Sequence, residues 1–493
     1  MSIGRYIYRP MNTPYLPALR SKVAAMGRRS TRTIKNMSLP SLHHAMGHLI
    51  PPQLLSDEDE GINSRRRVFF MRRTFWCFLW QTLGAQRACR EVVLQVKALC
   101  VLESETTISG DTGAYVVARQ RLPIERLRSI FASLAATAAS KAGPIPGSHG
   151  RRILAVDATV IQLADTPEIQ KRYPQPPLQK SGCGFPIMKI SSLFDLASGS
   201  IQNFELANRK VHELPLFFRM FSCLRKGDIW LGDALYNAYI SMAYSLLHGI
   251  DAVARMDRPR IIDFRQGEKL GPDERLITWN KPKHKSHYLT NRMWRIIPET
   301  LQLRLVRVRL CRPGWRPLVL YVVTTLLDNT TYPAEWIAAL YMRRWRLELY
   351  FRDLKTSLGM EILRTKSPAM AEKEMLMFLI AHNMIRCLIA EAAHMYERSI
   401  QSISFLGTVA VARQYCHALA LARNLRVRKK LFSSLMHAIA QEVLPYRPDR
   451  SEPRALKRRG KAFPRLMISR EQFRSSSKHI YLYYLKGVPN GQP

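Results

Sequence analysis

RILAVDATVIQLAD, residues 152–165, is the stretch that decides the fold class of this chain. Its residues are nearly all apolar and several are β-branched, which is typical of a central strand covered on both faces. One acid, Asp157, interrupts the run. A carboxylate in such a strand is costly unless it is satisfied by a cation or by hydrogen bonds, so a purely structural role explains Asp157 poorly. The stretch predicts a covered sheet with a polar site on a central strand.

The segments that follow predict the rest of the sheet. The order is strand, strand, strand, helix, strand, helix, strand, which is the mixed α/β arrangement of ribonuclease H-like domains. The segments after the first strand are KISSLFDLASGSIQNFELA (189–207), HELPLFFRMFSCLRKG (212–227), DIWLGDALYN (228–237), AYISMAYSLLHG (238–249) and IDAVARM (250–256). Asp233 ends a strand in this series, where an aspartate often only forms a turn. Asp165 and Asp195 are interpreted as turn residues.

The remaining chain divides by composition and periodicity. KAGPIPGSHG (141–150) is a linker, and alternating stretches such as RLITWN, RMWRIIP, LRLVRVRLC and RPLVLYVVTTL predict an antiparallel β insertion. N- and C-terminal helical regions flank the α/β core. The predicted boundaries are a basic N-terminal arm (1–60), a helical DNA-binding region (61–140), the first part of the core (151–257), the β-rich insertion (258–330), the final core helix (331–366), a C-terminal helical region (367–446) and a basic tail (447–493).

The charge of the chain indicates a polyanionic partner. Lys and Arg number 76 against 37 Asp and Glu, a formal net charge of +39. Nucleic acid is favoured because each Lys or Arg that neutralises a phosphate releases counterions; a merely basic, ribosome-like protein is the alternative. Residues 1–56 hold eight Lys or Arg and no acid, which fits an arm on DNA or a targeting sequence.

Cysteine spacing and hydropathy exclude other classes. The eight cysteines show no CxxC spacing, so neither a zinc cage nor a disulfide scaffold is indicated, and the expected compartment is reducing. VFFMRRTFWCFLW (68–80) is short and contains two arginines, so it is too short and too charged to span a bilayer. We expect no transmembrane segment.

A second stretch, YMRRWRLELYFRDLK (341–355), combines charged residues with an apolar helical pattern. We predict one helix from Pro333 to about Gly359. On an ideal helix Tyr341, Arg344, Glu348 and Lys355 lie within an arc of about 60°, with Arg352 beside them. Apolar residues fill the neighbouring arc, so the helix is expected to pack on the sheet with Glu348 at the edge of the contact. A solvated face with Glu348 paired to arginines is the alternative.

Three of these acids suit phosphodiester chemistry. Two divalent cations roughly 4 Å apart activate a nucleophile and neutralise the leaving oxygen, and such cations prefer carboxylate oxygens. A ribonuclease H-like sheet sets two carboxylates on adjacent strands and a third on a helix beside them. Asp157, Asp233 and Glu348 are the candidates for these positions.

The spacing Tyr341, Arg344, Glu348, Lys355 resembles the Y-(2)-R-(3)-E-(6)-K signature of DDE transposases of the insertion-sequence-four group. DATV and GDALYNA look like the first and second aspartate regions of that group. YVVARQRLP (115–123) and SEPRALKRRGKAFPRL (451–466) are similar to segments before and after its catalytic domain. The resemblance covers about residues 65–466.

The resemblance implies a transposase that cuts at insertion-sequence ends and joins them to target DNA, a cut-and-paste reaction with a hairpin intermediate. Asp157, Asp233 and Glu348 would hold two Mg²⁺ ions, for which Mn²⁺ substitutes. The implied partners are double-stranded DNA, both element ends and target, and a second copy of the chain in a homodimeric synaptic complex. The implied location is the bacterial cytoplasm, where the protein would associate with the nucleoid. No membrane partner is implied.

The resemblance also assigns DNA contacts. The phosphate-binding residues would be Tyr341, Arg344 and Lys355, with Arg352 on the same face. A tryptophan of the insertion would hold a flipped base during hairpin formation, and Trp315 in CRPGWRP is the candidate, ahead of Trp279 and Trp294. An ordinary core or surface role is the alternative for each tryptophan.

Two other functions stay open at this point. A ribonuclease H-like DNA nuclease without strand transfer needs the carboxylates but not the tyrosine-to-lysine signature. A DNA-binding structural protein, or a decayed transposase, tolerates loss of the acids, and none of the three is lost here.

Overall fold

The computed structural model describes residues 39–56, 68–84, 87–102, 109–256, 264–310, 318–420, 422, 424–445, 467–473 and 475. Trp315, most of the predicted N-terminal arm, the segment 451–466 and most of the basic tail lie outside these residues.

Nine strands of the described residues form one mixed sheet in the order β3-β2-β1-β4-β5-β9-β8-β7-β6. Strand β1 pairs antiparallel with β2 and parallel with β4, and β4 pairs parallel with β5. This half of the sheet confirms the predicted ribonuclease H-like fold. The strands are β1 (Ile153–Gln162), β2 (Ile187–Asp195), β3 (Ile201–Asn208), β4 (Ile229–Gly232), β5 (Asp251–Arg255), β6 (Glu268–Gly271), β7 (Glu274–Asn280), β8 (Thr300–Leu310) and β9 (Leu318–Thr324).

The insertion extends the sheet of the core. Strand β9 pairs antiparallel with β5, and β8, β7 and β6 continue from it. One part of the β prediction is wrong, because RMWRIIP lies largely in a helix, Asn291–Ile296. The Thr290 side chain accepts a hydrogen bond from the backbone N–H of Met293 and so starts that helix. A local cap therefore outweighs the apparent alternation.

Helices cover the two faces of the sheet. Successive residues of β1 belong alternately to the hydrophobic clusters on these two faces. Ile153 and Ala155 contribute to one cluster, and Leu154 and Val156 to the other, so β1 is buried on both sides as its sequence predicts. The helices inserted between the core strands are Pro167–Arg172, Glu213–Met220 and Tyr239–Leu247.

The N-terminal helices pack on the same body. Leu42, Ala45 and Met46 are buried, and their helix contacts the helix Phe405–Ala420. Residues 39–55 thus belong to the helical body and not to the arm predicted for residues 1–60. The N-terminal helices are Leu39–Met46, Met71–Leu83, Cys89–Leu102, Gly113–Arg121 and Ile124–Ala142.

A long helix, Pro368–Met395, is the centre of the C-terminal helical region, and the helices Phe405–Ala420 and Leu425–Gln441 pack against it. Among the described helices it alone is long and apolar enough to cross a bilayer, but 94% of its most apolar window is buried inside the protein. Its hydrophobicity is explained by packing against the helix Ile124–Ala142 and its other neighbours.

Candidate active site

Asp157 and Asp233 lie at the same level on adjacent parallel strands. Ala155 pairs with Leu231, and each aspartate follows two residues later. Both side chains are half-buried. The first two of the three predicted carboxylates are therefore side by side, with Asp157 in the middle of β1 and Asp233 directly after β4.

The surroundings of Asp157 favour its neutral form. Burial is the largest cause and raises the pKa of Asp157 to about 6, with Asp233 and Glu213 adding like-charge repulsion. A hydrogen bond of 2.8 Å from the Ala158 backbone N–H and the charge of Arg344 act in the opposite direction. A cation bound between the aspartates would relieve this cost.

Arg344 and Tyr341 lie next to Asp157. Nη1 of Arg344 is 3.9 Å from Oδ2 of Asp157, and the guanidinium lies 5.8 Å from the centre of the Tyr341 ring. Both residues are buried, and burial is the main cause of the raised pKa of Tyr341. The structure thus brings the first two residues of the signature to the first aspartate.

Lys355 reaches the same strand from the other end of the signature. Its Nζ donates a hydrogen bond of 3.0 Å to Oγ1 of Thr159. Thr159 is two residues beyond Asp157 on β1, so the two side chains share a face of the sheet. Lys355 therefore lies along the strand that carries Asp157.

Glu348 and Arg352 are exposed on the helix Arg346–Arg352, which packs against β1. Within the described part of the chain, no three His, Cys, Asp or Glu side chains are close enough to hold a metal ion. The structure therefore pairs two of the predicted carboxylates and places Glu348 on a neighbouring helix, outside that pair.

The predicted single helix from Pro333 to Gly359 is broken. It consists of α-helix Ala334–Met342, a 3₁₀ turn Arg343–Trp345, α-helix Arg346–Arg352 and a π-helical turn Asp353–Ser357. A 3₁₀ turn advances about 120° per residue instead of 100°, so an ideal helical wheel misplaces the residues beyond it. Tyr341 and Arg344 are accordingly buried while Glu348 and Arg352 are exposed, and they do not share one face.

Sequence reasoning did not find Glu213. It begins the helix Glu213–Met220 and accepts a hydrogen bond of 3.3 Å from the Tyr236 hydroxyl, while Lys189 Nζ is 3.7 Å from its other oxygen. Tyr236 follows Asp233 by three residues, so this contact holds the segment that carries the second aspartate. A single Glu at the start of a helix gave no sequence signal, because the contact depends on how β2 and β4 are arranged.

The other named residues have these positions. The Asp195 carboxylate accepts the backbone N–H of Ser198 at 2.8 Å, which confirms a turn residue, whereas Asp165 binds the Arg470 guanidinium at 2.9 Å. Trp279 lies in β7 and Trp294 in the helix Asn291–Ile296, with Lys281 Nζ 4.9 Å from a Trp294 ring centre.

The donor set fits a divalent cation. Asp157 and Asp233 offer hard carboxylate oxygens at one level of the sheet, the type of ligand that Mg²⁺ and Mn²⁺ prefer. Glu348 is the third carboxylate, one helix away and exposed. Arg344 supplies positive charge at the edge of the pair.

Comparisons with known proteins found three similarities to transposases. The family model "Transposase DDE domain" matches residues 148–384. Transposase InsG for insertion sequence element IS4, from Escherichia coli (strain K12), is 24% identical over 433 residues, covering 85% of this chain and 93% of its own. A cryo-EM structure of the piggyBac transposase synaptic complex with hairpin DNA covers 84% of this chain and 87% of its own, at 11% identity and a TM-score of 0.37. Residues 148–384 are thus similar to a transposase DDE domain, and the chain over most of its length is similar to a transposase of an insertion sequence element.

Proposed function

We propose that this transposase cuts DNA at the ends of an insertion sequence and joins those ends to target DNA, with Asp157, Asp233 and Glu348 as the catalytic carboxylates. The observation that carries the proposal is the pairing of Asp157 with Asp233 across β1 and β4, beside Arg344 and Lys355. Two Mg²⁺ ions held by the three carboxylates would supply the charge that activates water and the 3′ hydroxyl.

The carboxylates and the basic residues beside them have different proposed roles. Asp157 and Asp233 would hold the metal ions that position the scissile phosphodiester against β1, and Glu348 would be the third carboxylate ligand. Arg344 and Lys355 bind phosphate oxygens beside the scissile bond, with Tyr341 against the Arg344 guanidinium and Arg352 on the exposed side. Each contact stabilises negative charge on a transferring phosphate.

The proposed reaction is cut-and-paste. Water attacks a phosphodiester at the element end and releases a 3′ hydroxyl. That hydroxyl attacks a phosphodiester of the opposite strand, which closes a hairpin and releases the 3′ hydroxyl of the flanking DNA. Water then hydrolyses the hairpin phosphodiester to a 3′ hydroxyl and a 5′ phosphate. The 3′ hydroxyl finally attacks a target phosphodiester and displaces a 3′ hydroxyl of the target strand. Trp315, outside the described residues, would hold a flipped base in the hairpin step. Trp315→Ala is expected to slow hairpin formation more than the first nick, and equal slowing of both steps would exclude this role.

The partners follow from the same proposal. The net charge of +39 suits double-stranded DNA, both as element ends and as target. Bringing two ends together favours a homodimer in the synaptic complex. The proposed location is the bacterial cytoplasm, in association with the nucleoid.

One assay separates transposition from its alternatives. The protein is incubated with Mg²⁺ and labelled DNA that carries the inverted-repeat ends of its element, together with a target plasmid. Joined products support the proposal. Cleavage without joining indicates a nuclease of the same fold, and retention of DNA without cleavage indicates a binding protein.

Glu348→Gln is the matched test of the third carboxylate. Because Glu348 is exposed, the substitution is expected to change the free energy of unfolding by no more than about 0.5 kcal/mol, while abolishing cleavage. Glu335→Gln, in the first turn of the preceding helix segment, is the control and is expected to cleave at the wild-type rate. Cleavage by Glu348→Gln at the wild-type rate would exclude the proposed role.

A further inference from the structure

A pocket of about 370 Å³ lies between the N-terminal helices and the start of the long helix Pro368–Met395. Its walls include Phe78 and Arg87 from the N-terminal side, Arg119 from the helix Gly113–Arg121, and the segment 364–367. Asp157, Asp233 and Glu348 do not line it. The pocket is therefore separate from the candidate active site.

The lining of this pocket is strongly basic. Arg87, Arg119, Arg364 and Lys366 face one carboxylate, Glu374. Glu374 is buried and already accepts backbone N–H groups, from Arg364 at 3.2 Å and from Thr365 at 3.1 Å. Burial lowers the pKa of Arg87, the charge of Arg364 lowers it further, and Glu374 acts in the opposite direction. The single carboxylate does not balance the positive charge.

Three lining residues carry buried donors without a hydrogen-bond partner among the described residues. These atoms are Nη1 of Arg87, Nε of Arg119 and Oγ1 of Thr365. Arg119 is only 7% exposed, and its other nitrogens donate to Gln81 Oε1 and to Cys89 Sγ, each at 3.3 Å. Unpaired buried donors cost about 1–3 kcal/mol each, so the pocket favours a ligand rich in acceptors.

Gln81 contacts two of the basic residues, Arg87 and Arg119. Its Nε2 donates 2.9 Å to the backbone carbonyl of Arg87, while its Oε1 accepts from Arg119 and, at 2.8 Å, from the Tyr115 hydroxyl. Gln81 therefore holds the Arg119 guanidinium and the backbone of Arg87. The positive end of a 28-residue helix, which begins at Pro368 behind the N-cap Ser367, lies at the same wall.

We propose that this pocket binds a phosphoryl oxyanion, either a free phosphate compound or a backbone phosphate of DNA. Arginine guanidinium groups, a hydroxyl and a helix N-terminus are the donors that bind phosphate in proteins. The ligand would connect the N-terminal helices to the core. The adjoining segment reaches β1 directly, because Leu363 N–H donates to Gln162 O at 2.9 Å and Gln162 N–H donates to Glu361 O at 3.0 Å.

The test uses the full chain without divalent metal, so its outcome does not depend on catalysis. The melting temperature is measured against increasing pyrophosphate at constant ionic strength, for the wild type, Arg87→Met, Lys366→Met and the control Arg90→Met. Arg90 is exposed on the helix that begins at Cys89 and does not line the pocket. Lys366 is exposed, so Lys366→Met is expected to fold even where Arg87→Met does not.

Saturable stabilisation of the wild type and Arg90→Met is expected, with pyrophosphate binding weakened about tenfold or more in the two pocket variants. A second arm measures binding of a short DNA duplex against salt. If DNA supplies the phosphate, pyrophosphate does not change the melting temperature. In that case Lys366→Met makes the negative slope of log K against log salt less steep by about 0.9, while Arg90→Met leaves the slope unchanged. Equal stabilisation of all four proteins, or no effect in either arm, overturns the proposal.

Discussion

Asp157 is held in surroundings that disfavour its charge, which is the physical mark of a residue kept for function. The folded protein binds a proton at Asp157 more tightly than the unfolded chain, because burial raises the pKa from 3.8 to about 6. Below about pH 4 both states are protonated and the residue costs nothing. As the pH rises from about 4 through about 6, the metal-free folded state loses stability, by roughly 3 kcal/mol in full.

Asp157→Asn is therefore expected to stabilise the metal-free protein while abolishing cleavage. The gain should approach roughly 3 kcal/mol near pH 8 and vanish near pH 4, because only the ionised carboxylate is costly. Urea unfolding in the presence of a chelator measures it at both pH values. Asp111→Asn, at an exposed position, is the control. A destabilised Asp157→Asn protein at pH 8 would show that the carboxylate serves the fold.

At the scale of elements, the sequence predicts the core strands but not the breaks in the helix that carries the signature. An uninterrupted apolar run is enough to predict β1, because both of its faces are covered. The helix breaks at Arg343–Trp345 and Asp353–Ser357, and the second break is in contact with a residue far along the chain. Arg386 of the long helix donates a hydrogen bond of 2.7 Å to the Asp353 carboxylate. The local sequence pattern does not predict this pair.

The Asp353–Arg386 ion pair is expected to hold the π-helical turn between Glu348 and Lys355. Both side chains are buried, so Asp353→Ala leaves an unpaired guanidinium and should cost about 3 kcal/mol or more of the free energy of unfolding. The double variant Asp353→Leu with Arg386→Met removes both charges and should recover much of that loss. A urea series on the two proteins tests this, and a double variant no more stable than the single one would contradict it.

At the scale of the whole molecule, the insertion is part of the sheet. Alternating stretches predicted β structure there, but not that β9 would pair with β5 and continue the core. Such pairing joins residues far apart in sequence, which periodicity does not report. The same limit applies to the site. The signature spacing is enough to predict Glu348, whereas Glu213 is recognised only from its position near Asp157 in the folded sheet.

The charge of the whole chain predicts steep salt dependence of DNA binding. With a net charge of +39 and several phosphates neutralised at once, affinity for a duplex is expected to fall by about 10³-fold or more between 50 and 200 mM salt. Fluorescence anisotropy of a labelled duplex without Mg²⁺ measures this. A fall of less than about tenfold would mean that few phosphates are contacted.

Exchange of a ligand atom tests whether Asp157, Asp233 and Glu348 act by holding divalent cations. Asp233→Cys replaces a hard oxygen donor with a soft sulfur donor, which binds Mg²⁺ poorly and accepts Mn²⁺ more readily. The measurement is the rate of cleavage at a labelled element end in each metal. We predict that Asp233→Cys loses cleavage with Mg²⁺ and regains it in part with Mn²⁺. Cleavage by Asp233→Cys at the wild-type rate with Mg²⁺ would exclude Asp233 as a metal ligand.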